Sequence, residues 1–212
     1  MTAAQLLAFV GVVALGAMSP GPDFAVVVRR SALFGRRHGM AAAAGVAAGV
    51  SVWAFAAATG VVALLTVVPA LLTVIKLAGA AYLGYLGARA LWSAARGGGL
   101  AAMTHEHPAG VRASAWLAFR DGALCNALNP KAAVFFMALL PQFLPTHPGP
   151  IDALLLSLVA VAITLAWFLT VANLIAALSR FFARRAVRRA VDGATGAVLI
   201  TLGARLALTT SA

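Results

Sequence analysis

Uncharged apolar stretches long enough to cross a lipid bilayer dominate this chain. Residues 40–75, for example, contain no Asp, Glu, Lys or Arg, and a transmembrane helix needs about 20 apolar residues. The chain has 212 residues, of which 63% are hydrophobic and 10% are charged, whereas a soluble domain is about 25% charged. We therefore expect an all-α, polytopic membrane protein.

Charged and proline residues divide the chain into six predicted spans. The stretch 40–75 is too long for one helix across a hydrocarbon core of about 30 Å, and Pro69 marks the expected turn within it. The first span is interpreted as a retained helix rather than a cleaved signal peptide, because no Lys or Arg precedes it. The predicted spans are approximately 3–28, 40–65, 70–92, 121–143, 151–178 and 194–208.

The net charge of +11 could suit a nucleic-acid partner, but the positions of the basic residues indicate membrane orientation instead. Most Lys and Arg residues lie in or beside the links after spans one, three and five, and cytoplasmic links carry such an excess. We therefore predict that these links are cytoplasmic, that both termini lie outside, and that nucleic acid is not a partner. The residues are Arg29, Arg30, Arg36, Arg37, Arg89, Arg96, Arg112, Arg120, Arg180, Arg184, Arg185, Arg188 and Arg189.

The two halves of the chain resemble one another. Met18-Ser19-Pro20 corresponds to Leu128-Asn129-Pro130, and Leu86-Gly87-Ala88-Arg89 matches Leu202-Gly203-Ala204-Arg205. Three spans per half place the halves in opposite senses, and inverted repeats with matching broken helices are typical of transporters. We predict one transporter domain over 1–212 that consists of two inverted three-helix repeats with helices 1 and 4 broken. Its parts are repeat one at about 1–95, a cytoplasmic link at about 96–120 and repeat two at about 121–212.

The segment Ser19-Pro20-Gly21-Pro22-Asp23 predicts a break within the first span. Two prolines remove two backbone donors and clash with preceding carbonyl groups, so a continuous helix cannot pass. Ser19 could cap a new half-helix with Pro20 in its first turn, and amides near Gly21 would then suit a carboxylate. A simple proline kink is the alternative.

Asn129-Pro130-Lys131 repeats this pattern in the fourth span. A lysine at mid-membrane costs at least ~3 kcal/mol on insertion scales, so a paired or functional role is expected, with snorkelling to the interface as the alternative. Asp23 could pair with Lys131, bind a substrate ammonium or take up a proton. Asn126 precedes Asn129 by three residues and therefore lies on a similar helix face.

The remaining polar residues receive simpler interpretations. We expect Asp121 to pair with Arg120 at the membrane edge. Lys76 and Arg205 are expected to snorkel from helix ends, and Cys125 to be a small buried hydrophobe. His105-Glu106-His107 lacks the spacing of a zinc site and is expected in a solvated link, and Gly45 and Gly49 permit close helix contact.

Together, these motifs resemble the LysE/RhtB family of amino-acid exporters over the full length of the chain. The family has six predicted helices and exports amino acids such as lysine, threonine, homoserine or its lactone, leucine and cysteine derivatives, generally coupled to the proton gradient. The resemblance implies an efflux permease in a bacterial cytoplasmic membrane, with the broken helices as substrate elements. The residues that carry it are 19–23, Gly35-Arg36-Arg37-His38-Gly39, Asn129-Pro130-Lys131-Ala132-Ala133 with Phe135-Phe136, and Leu140-Pro141-Gln142-Phe143.

We therefore expect a proton-coupled exporter of amino acids or related metabolites. Its predicted partners are a small-molecule substrate, protons and membrane lipid, with a homodimer as a further possibility and no cofactor or metal. Asp23 and Asp121 are the predicted proton-exchange residues. The predicted substrate-binding residues are Ser19, Pro20, Gly21, Pro22, Asp23, Asn126, Asn129, Pro130 and Lys131.

Other function classes stay open at this stage. A channel or a scaffold membrane protein would share the spans but would not couple transport. An intramembrane enzyme is disfavoured, because no Ser–His pair, paired Asp residues or HExxH motif lies within the predicted spans.

Overall fold

The computed structural model describes residues 2–58, 69–96, 114–145, 150–178 and 185–208. Within these ranges the chain forms eight helices and no strand, which confirms the all-α prediction. The helices are α1 (Ala3–Met18), α2 (Pro22–Phe34), α3 (Arg36–Ala58), α4 (Pro69–Ala95), α5 (Ala115–Ala127), α6 (Pro130–Phe143), α7 (Pro150–Ala177) and α8 (Arg185–Leu208).

The helices have the lengths and composition of membrane spans. Three of them are long and apolar enough to cross a bilayer alone, namely α3, α7 and α8. Two bent pairs also qualify if each pair counts as one span: α1 with α2, bent by 63°, and α5 with α6, bent by 58°. The helix α4, with 27 residues, occupies the predicted third span but lies outside this set of five. The protein is therefore a multi-pass membrane protein.

Both predicted helix breaks are present, although the first is capped differently than expected. Ser19 ends α1, since its N–H donates to the Leu15 carbonyl oxygen at 3.1 Å, so the prediction that Ser19 caps a new helix is wrong. Gly21 is the residue before α2, and Pro22 is the first residue of that helix. The second break matches the prediction, because Asn129 Oδ1 accepts from the Lys131 backbone N–H at 3.0 Å.

Three helices begin or end further into the basic segments than predicted. The helix α2 continues to Phe34 and ends where Gly35 adopts a φ of 82°. The helices α5 and α8 begin at Ala115 and Arg185 rather than near 121 and 194. The helix α2 can continue through its basic segment because Arg29 and Arg30 form ion pairs with acidic residues on neighbouring helices, as described below. The end of the predicted second span at 59–65 and most of the predicted link at 96–120, including His105-Glu106-His107, lie outside the described residues, as do residues 66–68, 146–149 and 179–184.

Helices that hold the same position in the two predicted halves pack together. The third helices, α4 and α8, form the most extensive contact, and the second helices, α3 and α7, also pack along one another. The helix α3 additionally lies against α5, where a Cβ atom on Gly45 would collide with the Phe119 carbonyl oxygen and one on Gly122 with that of Ala42. A Cβ on Gly49 would likewise meet Asn126, so the prediction of close contact at Gly45 and Gly49 is confirmed.

Two apolar clusters fill the bundle, one on each side of the helix breaks. The first joins α1, α3, α6 and α7 and includes Phe9, Trp53, Phe136, Leu140 and Leu156. The second joins α2, α3, α4, α5, α7 and α8 and includes Val27, Val46, Leu83, Phe168 and Leu199. The polar residues of the two breaks are therefore held between two apolar layers.

Candidate functional site

The two helix breaks lie side by side and border a common cavity. This cavity, the central cavity below, has a volume of about 60 Å³, where one water needs roughly 10–15 Å³. It has room for a small ligand of several non-hydrogen atoms. Six of the nine predicted substrate-binding residues line it, namely Ser19, Gly21, Asp23, Asn126, Asn129 and Lys131.

Asp23 lies in the first turn of α2 and is held by two amides from the other half of the chain. Its Oδ2 accepts hydrogen bonds from Asn126 Nδ2 at 3.0 Å and from Asn129 Nδ2 at 3.1 Å. Asn126 in α5 and Asn129 at the start of α6 thus reach the same carboxylate across the break, rather than from one face of a continuous helix as expected. The two amides hold the carboxylate in place. Among the described residues, no cationic side chain is bonded to it.

Two acceptor oxygens in this group have no partner in the described part of the chain. They are Asp23 Oδ1 and Asn126 Oδ1, and both are buried. The Asn126 amide must point this way, because only its NH₂ group can donate to a carboxylate. Buried acceptors without donors are costly and rare in native proteins. The geometry therefore leaves one buried acceptor on each of the two side chains, and the Asn126 oxygen lies beside Gly49 of α3.

Lys131 supplies the opposite charge at the same cavity. Its Nζ lies 3.5 Å from the Ser19 carbonyl oxygen and 3.9 Å from the position that a Cβ atom on Gly21 would take. No side chain caps the start of α2 at Gly21, and the Lys131 ammonium lies beside this helix start. A helix start with a nearby cation suits an anion such as a carboxylate.

Apolar side chains that sequence reasoning did not select form the rest of the cavity wall. Phe24, Phe135, Phe136 and Phe168 line it, together with Val13, Val50 and the buried Thr164. A Cβ atom on Gly16 would lie 2.7 Å from the Phe135 ring, so this glycine leaves space for the ring. The sequence analysis named Phe135 and Phe136 only as part of the family motif. It gave no reason to select the other wall residues.

Trp53 supports the second break from outside the cavity. Its Nε1 donates to the Asn126 carbonyl oxygen at 3.2 Å, which also accepts from the Asn129 backbone N–H at 2.9 Å. Sequence reasoning missed this residue, because a tryptophan within an apolar span does not reveal its partner.

A second cavity of about 270 Å³ adjoins the first on the other side of the breaks. Both cavities are bordered by Gly21, Asn129 and Lys131. The three predicted prolines, Pro20, Pro22 and Pro130, line only this second cavity, as does Arg205. Arg205, which was expected to snorkel, therefore faces a cavity beside the breaks.

Asp121 lies apart from the central cavity and is buried in an ion pair. Its Oδ2 accepts from a guanidinium nitrogen of Arg30, whereas Arg120 approaches its other oxygen only to 4.0 Å. The predicted pair with Arg120 is therefore present at 4.0 Å, but the closer partner is Arg30, because α2 continues far enough to bring it to the buried Asp121. Asp23 and Asp121, the two predicted proton-exchange residues, consequently have different surroundings.

A second ion pair lies next to the first. Arg29 Nε donates to Asp192 Oδ1 at 2.7 Å, and Ser93 Oγ donates to Asp192 Oδ2 at 2.7 Å. Asp192 is fully buried, and sequence reasoning missed it. We call the set Arg29, Arg30, Ser93, Asp121 and Asp192 the charged cluster below.

The described residues hold no group of three or more His, Cys, Asp or Glu side chains that could bind a metal ion. Cys125 is buried and not in a disulfide, as expected for a small hydrophobe. The site thus consists of a carboxylate with amides, a lysine and an aromatic wall.

The chain is similar to several known proteins. The family profile described as LysE type translocator matches residues 14–210. A threonine efflux protein of Escherichia coli K12 is 30% identical over 94% of this chain and 95% of its own length. The uncharacterized membrane protein YrhP of Bacillus subtilis is 26% identical over 96% of this chain and 99% of its own. A leucine efflux protein of Salmonella choleraesuis is 33% identical over 59% of this chain and 56% of its own. No solved structure matches the chain significantly.

Proposed function

The chain belongs to the LysE type translocator family, and on that premise we propose that it exports amino acids across the bacterial cytoplasmic membrane. The observation that carries the proposal is the presence of a carboxylate with free acceptor oxygens and a separate ammonium group at one small cavity. A free amino acid carries the complementary two charges. The similarity to proteins named for threonine efflux and leucine efflux supports the same substrate class.

In the proposed complex, the substrate ammonium donates to Asp23 Oδ1 and Asn126 Oδ1. These atoms are the buried acceptors that have no partner among the described residues, and an ammonium group offers three donors. The substrate carboxylate faces Lys131 and the uncapped start of α2 at Gly21. Charge at both ends of the ligand then fixes its orientation across the breaks.

The cavity wall favours a neutral side chain over a basic one. Asp23 is the only carboxylate among the residues that line the central cavity, and the proposed complex uses it for the α-ammonium. The remaining wall consists mainly of phenyl rings with the hydroxyl of Thr164. We therefore infer that small neutral amino acids such as threonine or leucine bind better than lysine or arginine, whose second charge would lack a partner.

Transport would proceed by alternating access of the two halves around the central cavity, with proton antiport. Asp23 is the proposed proton-exchange group, because it could take up a proton when the substrate ammonium leaves its free oxygen. The role predicted for Asp121 in proton exchange stays a prediction. The arginine-rich helix ends are proposed to face the cytoplasm and both termini the outside.

Everted membrane vesicles test this proposal, since uptake into them corresponds to export from the cell. With an acidic interior, vesicles that contain the protein should accumulate labelled threonine or leucine faster than lysine, and a protonophore should abolish the accumulation. Asp23→Asn should reduce the rate at least about 10-fold, because the charge that binds the ammonium is lost. Asp152→Asn in the first turn of α7 is the matched control and should retain the rate.

Two results would contradict parts of the proposal. If the folded protein moves none of the three amino acids, the substrate class is wrong. If movement continues unchanged with the protonophore and only equalises the concentrations, the protein is a channel or facilitator rather than an antiporter.

A further inference from the structure

The half-helices α2 and α5 are bonded to each other at two levels. At the central cavity, Asp23 of α2 accepts from Asn126 of α5 at 3.0 Å. Nearer the other end of both helices, Arg30 of α2 pairs with Asp121 of α5. Each helix thus takes part in both the candidate site and the charged cluster, to which α2 contributes Arg29 and Arg30 and α5 contributes Asp121.

Both helices are short and regular between these contacts, so each can move as one body. Asp23 and Arg30 are seven residues apart in α2, which corresponds to about 10 Å along the helix axis. Asn126 and Asp121 are five residues apart in α5, or about 7.5 Å. Neither stretch contains a proline or a break. A change in the distance between the helices at the site is therefore transmitted to the ion pair.

The ion pair is buried to an extent that stability alone does not explain. Arg30 is 8% exposed and Asp121 is 4% exposed. Burying two charges costs about as much as their attraction returns, and such pairs are best attested as devices that select one arrangement over another. The neighbouring contacts of Asp192 with Arg29 and Ser93 hold α2 against α8 and α4 in the same arrangement.

The space beside the ion pair is closed in this structure. A cavity of only about 10 Å³ remains between Arg30, Asp121, Val26, Leu86 and Leu199, which is roughly enough for one water. A solute cannot pass between α2, α4, α5 and α8 at this level. By contrast, the central cavity adjoins the larger second cavity on the far side of the breaks.

We propose that the Arg30–Asp121 ion pair is the gate on the arginine-rich side and that substrate binding closes it through α2 and α5. The inference rests on the proposed export function. A substrate ammonium that binds Asp23 Oδ1 and Asn126 Oδ1 stabilises the arrangement in which these residues join α2 to α5 at the cavity, and the same arrangement includes the closed ion pair two turns away. An exporter needs this order of events, since the entrance must shut after the substrate has bound.

Chemical labelling of a cysteine at Val26 tests the gate in intact membrane vesicles. The variant is Val26→Cys, the protein without this substitution measures any labelling of the buried Cys125, and the probe is a membrane-impermeant maleimide applied from the arginine-rich side. With the ion pair intact, labelling should be slow, and threonine should slow it further. Arg30→Gln and Asp121→Asn should each accelerate labelling at least about 10-fold, and threonine should then have little effect. Arg37→Gln, an exposed arginine in the next helix, is the matched control and should leave the rate unchanged.

The charge-swapped double variant separates the gate from a general loss of structure. Arg30→Asp with Asp121→Arg restores a pair of opposite charges and should return labelling towards the original rate. The proposal is wrong if both single variants label at the original rate, or if the double variant labels as fast as the singles. Labelling without threonine tests the gate alone, so it remains decisive even if threonine and leucine are neither bound nor moved and the export proposal fails.

Discussion

Single residues divide the candidate site into an acceptor end and a donor end. Among the described residues, Asp23 and Asn126 each leave one buried oxygen without a donor, while Lys131 Nζ has only the Ser19 carbonyl oxygen at 3.5 Å. The sequence indicated these residue types but left open whether Asp23 takes up a proton, binds a substrate ammonium or pairs with Lys131. The structure separates them by placing amides on the carboxylate, and the separation leaves both charges available to a zwitterion.

Lys131→Gln tests the donor end. The substitution removes the charge but retains the backbone N–H that Asn129 Oδ1 caps, so α6 should stay intact. A charged hydrogen bond contributes about 1.5–3 kcal/mol, so threonine should bind roughly 10–100-fold more weakly. Threonine methyl ester, which has no carboxylate, should bind the variant and the original protein equally.

Lys76→Gln is the matched control for this prediction, because Lys76 does not line either cavity described at the breaks. It should leave threonine binding unchanged. Calorimetry on the purified protein measures both. Equal loss of threonine and ester binding in Lys131→Gln would show that Lys131 does not bind the carboxylate.

At the level of the elements, local chemistry predicted the breaks, and long-range contacts decided the helix ends. Two prolines in 19–23 and an Asn-Pro pair at 129–130 interrupt hydrogen bonding wherever they occur, so the sequence was sufficient there. It was not sufficient for Arg29 and Arg30, whose acidic partners lie 163 and 91 residues away. A run of arginines after an apolar stretch has the pattern of a cytoplasmic link, and only the fold shows that α2 continues through it.

Close packing of α3 on α5 sets the position of the second break relative to the first. Gly45→Ala would place a methyl group against the Phe119 carbonyl oxygen, and overpacking of this kind costs about 1–3 kcal/mol. We expect the Tm in detergent to fall by about 2–12 °C, measured by static light scattering or tryptophan fluorescence.

The control for this prediction is Gly11→Ala in α1, where a Cβ atom meets nothing within 4 Å. Alanine is the better helix former, so the Tm should stay equal or rise. A Gly45→Ala protein as stable as the Gly11→Ala protein would contradict the close approach of α3 and α5.

At the scale of the whole molecule, the arginine-rich helix ends meet at one end of the bundle. The Arg29–Asp192 pair joins α2 to α8, Ser93 joins α4 to Asp192, and Arg189 Nε donates to the Ala94 carbonyl oxygen at 3.1 Å. The alternation of basic and neutral links predicted such a common side. Residue spacing could not predict which helices pair across it, because that depends on the packing of α4 with α8 and of α3 with α5.

This arrangement makes the orientation in the membrane testable. An epitope inserted after Gly98 should be reached by antibody only from the cytoplasmic side, and one inserted after His147 only from outside, because the arginine-rich side is proposed to face the cytoplasm. Cells with permeabilised outer membranes and everted vesicles provide the two accessible faces. The reverse labelling pattern would contradict the proposed orientation.

Binding of three related compounds to the purified protein tests the central claim most directly. Threonine carries both charges, threonine methyl ester lacks the carboxylate, and N-acetylthreonine lacks the ammonium. If the helix breaks bind a zwitterion, threonine should bind, and each blocked compound should bind at least about 10-fold more weakly, since each loses one charged contact. N-acetylthreonine that binds as tightly as threonine would show that Asp23 and Asn126 do not receive an ammonium, and the account of the site would be wrong.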